Sequence, residues 1–128
     1  MIFSVGDVIH IDAPVAGKKK YHICLGQNEV AVTLCLFLNS KNKYANDVVF
    51  ECSAFPMIPS SSTGLSVVSL SLVPRYSDEK LSLYNAKLLG VISKDVAKKL
   101  LQACEGFSPL TKPEKVFAVQ ALRTFLSN

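Results

Sequence analysis

The stretch Val5–Leu25, VGDVIHIDAPVAGKKKYHICL, decides how the rest of this chain is read. Ile9 and Ile11 alternate with Val8, His10 and Asp12, the period-two pattern of a strand with one buried face. Pro14–Gly17 breaks that run, and three consecutive lysines, Lys18, Lys19 and Lys20, follow it. Tyr21 to Leu25 then reads as a second strand. Tyr21, Ile23 and Leu25 share one face, and Lys20, His22 and Cys24 share the other. Strand, basic loop, strand is an arrangement that holds positive charge beside a groove.

Working outward, Val30 to Leu38 is apolar on both faces and predicts a central strand covered on both sides. Asn39–Asn46 is a polar loop carrying Lys41, Lys43 and Tyr44. Asp47 to Phe55 is a further strand candidate. Pro56 to Ser66 is the longest irregular piece, because Pro56 and Pro59 cannot donate to a ladder. Leu65 to Val73 returns to strand, Pro74–Asp78 breaks it, and Lys87 to Ile92 is the last strand candidate. Helices come late. Ser93 caps the first, with Asp95 in its first turn, an apolar stripe of Val96, Ala97, Leu100, Leu101 and Cys104, and a stop at Gly106. Thr111, Pro113 and Glu114 form a capping-box signature for the second, whose stripe is Phe117, Ala118, Ala121, Leu122, Phe125 and Leu126. Five or six short strands followed by two helices predict a mainly β fold: a small, strongly twisted antiparallel barrel with one or two C-terminal helices packed against it.

The length of 128 residues suits one domain, 1–128, with 107–128 as a C-terminal helical extension. Apolar residues make up 49% and charged residues 19%, so part of the apolar surface is expected to be covered by a partner or a second copy. The longest apolar run, Ala31 to Leu38, falls far short of the about 20 residues a membrane helix needs. The N-terminus lacks a basic segment followed by an apolar one, so a cytoplasmic location without a membrane partner is expected. Cys24, Cys35, Cys52 and Cys104 are widely spaced with no C-x-x-C pair, which predicts reduced cysteines acting as small hydrophobes and no metal site. No cofactor is expected. The net charge of +4 permits a nucleic-acid partner without requiring one.

Four segments, in order, resemble the PemK/MazF toxin family, whose fold is an SH3-like barrel related to the CcdB toxins. They are GDVIHID (6–12), KKKYHICL (18–25), TGLSVVSLSLVPRYS (63–77) and LLGVISKDVAKKLLQA (88–103). The resemblance implies a type II toxin–antitoxin toxin, an endoribonuclease that cleaves single-stranded RNA without a metal, works as a homodimer and is neutralised by a cognate antitoxin. It places the family's loop Arg on Lys20 and the family's hydroxyl on Asn39 or Ser40. Lys20, Ser40 and His22 are then the candidate catalytic residues, and Lys18, Lys19, Lys41, Lys43, Tyr44 and Arg75 the candidate RNA-binding ones. Lys is a point charge without the planar fork of Arg, so the exchange is not conservative. The alternative is a barrel of the same class that binds nucleic acid, or inhibits a protein target such as a topoisomerase, without cutting.

Each residue also has a plainer reading. The lysines then read as a solvated loop face, Ser40 as a turn residue, His22 as a half-buried structural ring, Arg75 as a surface charge, and Tyr44 as a packing residue. For His10 and Asp12, a surface contact between neighbours is the plainer reading beside an oriented pair.

Overall fold

The computed structural model describes residues 2–13, 18–42 and 46–128, with only the backbone of Ala13, Lys18 and Lys19. The strands are β1 (Asp7–Ala13), β2 (Lys18–Gln27), β3 (Val32–Asn39), β4 (Val48–Glu51), β5 (Leu65–Ser69), β6 (Arg75–Ser77) and β7 (Lys87–Val91). The helices are α1 (Asp78–Leu83), α2 (Lys94–Glu105) and α3 (Lys112–Leu126), and a 3-10 turn spans Cys52–Ala54. The strands form one antiparallel sheet in the order β4-β5-β3-β2-β1-β7, with β6 also paired to β3. The expected mainly β architecture with C-terminal helices is therefore what this sequence folds into.

The sheet rolls because β3 changes partners along its length. Phe37–Asn39 pair with β5, and Val32–Leu34 pair with β6. The roll brings the chain that leaves β4 back onto β7: a β-carbon at Gly90 would stand only 3.0 Å from Met57 Cβ. Among the described residues β4 and β7 do not pair with each other, so the barrel is rolled but open. Lys99 of α2 covers the β4 edge, donating to the Val49 carbonyl (2.5 Å) and lying 4.7 Å from the centroid of the Phe50 ring.

Alternation along β1, β2 and β3 sorts side chains into two cores. Val8, Ile23, Leu36 and Leu38 face α2 and α3, where Val96, Leu100, Ala118 and Leu122 close the larger core. Ile9, Ile11, Cys24 and Cys35 face the other way, with Phe3 and Leu81 of α1. The α2 stripe is buried at Val96, Ala97, Leu100 and Cys104, and α3 buries Ala118 and Leu122 with Phe117 and Phe125 at the margin. The Thr111–Glu114 capping box forms in both directions, at 3.3 and 3.0 Å.

Three local readings change. The Pro74–Asp78 break contains β6 and the start of α1. A three-residue strand is too short to show a period, and it is held by its pairing to Val32–Leu34. Ser77 then caps α1 by accepting from the Lys80 amide (3.2 Å), with Asp78 and Glu79 in the first turn. Strand Leu65–Val73 ends at Ser69, and Asp47–Phe55 is strand only over Val48–Glu51 before the 3-10 turn.

Gly6 ties these parts together. Its amide donates to the Cys24 carbonyl (2.9 Å), its carbonyl accepts from the Ile92 amide (2.9 Å), and its φ is +90°. A β-carbon there would collide with the Phe125 ring of α3. Gly6→Ala is expected to lower the unfolding free energy by about 2 kcal/mol or more, measured by urea denaturation. A loss below about 0.5 kcal/mol would contradict this packing of α3 on the β1 entry.

Candidate nucleic-acid interface

At the end of the roll where β2 begins, a cleft of about 420 Å³ opens between the sheet and the segment after the 3-10 turn. Tyr21 and Leu38, paired across β2 and β3, form its floor, and Ile58 and Pro59 form its far wall. Lys20, Asn39, Ser40 and Lys41 border it on the near side, and Ser61 and Ser66 on the other. Hydroxyl contacts hold these two sides together. Thr63 Oγ1 donates to the Ser40 carbonyl (2.6 Å), and Ser61 Oγ donates to the Leu65 carbonyl (2.7 Å) and meets Thr63 Oγ1 at 3.0 Å. Behind them the Ser61 hydroxyl and amide contact Cys52 Sγ at 3.2 and 3.4 Å and hold the Cys52 thiol below its ordinary pKa.

The structure thus brings Lys20, Ser40 and Lys41 to one cleft. Alternation starts the Lys20 side chain on the His22 face, so Lys20 stands at the rim. The three lysines expected in a loop stand instead in β2, held by their pairing to β1, with Lys18 and Lys19 as backbone positions opposite Ala13 and Asp12. Lys43 and Tyr44 lie outside the described residues. Among the described residues that line the cleft there is no carboxylate and no imidazole.

His22 is placed elsewhere. Its partners across the sheet are Ile9 and Phe37, both on the opposite face from Tyr21. The ring is fully buried, 5.0 Å from the Phe37 ring and 5.4 Å from that of Tyr76. A carbonyl only accepts, so Nδ1–H donates to the Lys20 carbonyl (3.3 Å), which leaves Nε2 to accept the Tyr76 hydroxyl (2.9 Å). Burial pushes the His22 pKa down to about 4, against the opposing effect of the Lys20 carbonyl and with a smaller push from the Lys20 charge. Burial likewise raises Tyr76 to about 12. This ring is a neutral hydrogen-bonded member of the smaller core side, away from the cleft.

Arg75 is also placed apart. It pairs with Leu34, whereas Tyr21 pairs with Leu38, which separates the two positions by roughly 13 Å along β3. Arg75 lines a larger groove of about 590 Å³ with Glu29, Glu114 and Phe117, and its Nη2 lies 3.5 Å from Glu114 Oε2. Two carboxylates in that groove oppose a phosphate, so the smaller Lys20 cleft is the better anion site despite its size.

The Ser61–Thr63–Ser66 side of the cleft was not legible in the sequence. Its only signal was the hydroxyl-rich run SSSTGLS, which carries no period. Among the described residues no three His, Cys, Asp or Glu side chains converge as a metal-binding set. None of the described helices is long and apolar enough to cross a membrane. Comparison with known protein families finds no matching family model, and comparison with curated proteins finds no match.

The depressed His22 pKa has a signed consequence. The folded state holds the ring neutral down to about pH 4, while the unfolded chain protonates it near 6.5. Its contribution is therefore present above pH 6.5 and is lost as pH falls toward 4. Urea denaturation at pH 7.5 and 4.5 should show wild type losing about 2 kcal/mol more than His22→Leu over that interval. Equal losses would contradict a neutral buried ring.

Proposed function

We propose that this chain is a PemK/MazF-like toxin that takes single-stranded RNA into the Lys20–Ser40–Lys41 cleft and cleaves it without a metal. One observation carries this reading. Lys20 and Ser40, well separated in sequence, border one cleft at the positions where the resemblance puts the family's cation and hydroxyl.

In the proposed reaction the ribose 2′-hydroxyl attacks the adjacent phosphorus, the bond to the 5′-oxygen breaks, and a 2′,3′-cyclic phosphate forms. The Lys20 ammonium donates to a phosphoryl oxygen as charge builds there and passes a proton to the leaving 5′-oxygen. Solvent takes the 2′-hydroxyl proton and reprotonates Lys20. Ser40 Oγ offers a second donor to the phosphorane, and Lys41 neutralises a neighbouring phosphate. A second copy of the chain and a neutralising antitoxin belong to the same reading and rest on the resemblance alone.

A second reading, binding without cleavage, is favoured by the lack of any carboxylate or imidazole among the described residues that line the cleft. Incubation of the purified protein with a long single-stranded RNA in EDTA separates the two. Cleavage that falls about a hundredfold in Lys20→Ala, with the fold intact by circular dichroism, supports the first. Intact RNA with salt-dependent binding supports the second, and neither cleavage nor binding overturns both.

A further inference from the structure

The register that buries His22 turns His10 the other way. Pairing places Lys87 of β7, His10 of β1, Tyr21 of β2 and Leu38 of β3 in one row across the sheet. Directly paired residues in antiparallel strands project to the same face. That face is the one Tyr21 and Leu38 present to the cleft. The row therefore continues the cleft floor across two more strands, and Lys87 stands roughly 10 Å from Tyr21 at the usual strand spacing. The next row on this face, Gly90, Val8, Ile23 and Leu36, is closed: its side chains are buried and Met57 lies against Gly90.

His10 and Lys87 are suited to a ligand in this position. Of the two His10 ring nitrogens, Nδ1 is the one enclosed without a partner. A buried N–H with no acceptor is costly, which favours the tautomer that carries its N–H on Nε2. Lys87 is exposed and forms no ion pair among the described residues. Lys87 at one end of the row and Lys20 and Lys41 beside the other, with the Tyr21 ring between them, match the needs of a single nucleic-acid strand: charge for phosphates and a flat face for a base.

We propose that RNA held in the cleft runs on along this row, with Tyr21 stacking on a base, His10 Nε2–H donating to a base or phosphate oxygen, and Lys87 neutralising a further phosphate. The proposal rests on the RNA reading above and names residues outside the cleft it described. The test is fluorescence anisotropy with a short and a long 2′-O-methyl oligoribonucleotide, which 2′-hydroxyl attack cannot cut, over a range of salt. Lys87→Ala should weaken the long strand about three- to tenfold and flatten its log–log salt dependence by about 0.7, while leaving the short strand unchanged. His10→Ala should weaken the long strand without changing that slope, and His10→Gln, which restores an N–H donor, should recover part of the loss. Wild-type affinity for the long strand in both Lys87→Ala and His10→Ala, with Lys41→Ala still weakened, would overturn the track and leave the RNA reading standing. Absence of RNA binding by the wild type would overturn both.

Discussion

β2 is hydrogen-bonded along both sides, to β1 and to β3, and its pleat assigns every neighbouring side chain to one of two cores. Val8, Ile23 and Leu36 fall on the side that α2 and α3 cover, and Ile9, His22 and Phe37 fall on the side of α1 and Tyr76. A slip of one residue in this ladder would exchange the two sets and put His22 against the helices. Burial on both faces resists such a slip, because all of these residues but His22 are apolar and all but Phe37 are inaccessible to water. The cleft inherits its composition from the same register. Tyr21 floors it because Ile23, two residues on, belongs to the larger core.

The electrostatics of the surface follow from where the ladder ends. Lys20, Ser40 and Lys41 gather where β2 begins and β3 ends, and carboxylates gather at the other end of that pair, around Glu29 and Glu114. Attraction for a phosphate therefore differs between the two ends of one sheet, with the larger groove on the less favourable end. This separation is what turns a modest overall charge of +4 into a directional preference.

Much of the architecture was legible because the signals were long. The alternation of Val8–Asp12, the doubly apolar Val30–Leu38, the Ser93 cap and the Thr111–Glu114 box each span enough residues to show a period or a reciprocal hydrogen bond. β6 was not legible, since three residues show no period and its pairing comes from β3, some forty positions earlier. α1 had a readable cap in Ser77 with Asp78 and Glu79, hidden by the weight given to Pro74. For the site, strand alternation correctly put His22 on the Lys20 face, but only the three-dimensional roll shows that this face is a core at His22 and a rim at Lys20. His10, read beside Asp12 on one strand face, also stands opposite Tyr21. Arg75 was grouped with the lysines through the resemblance, and the β3–β6 register moves it away.

The central claim is that the ligand-binding end of this sheet is the Tyr21–Ser40 end. Backbone amide chemical-shift mapping by NMR during titration with a single-stranded oligoribonucleotide tests it directly. The largest shifts are expected at Tyr21, Asn39, Ser40, Lys41 and Ser61, with Gln27–Val30 and Phe117 unmoved. Shifts concentrated around Arg75, Glu114 and Phe117 instead would contradict it.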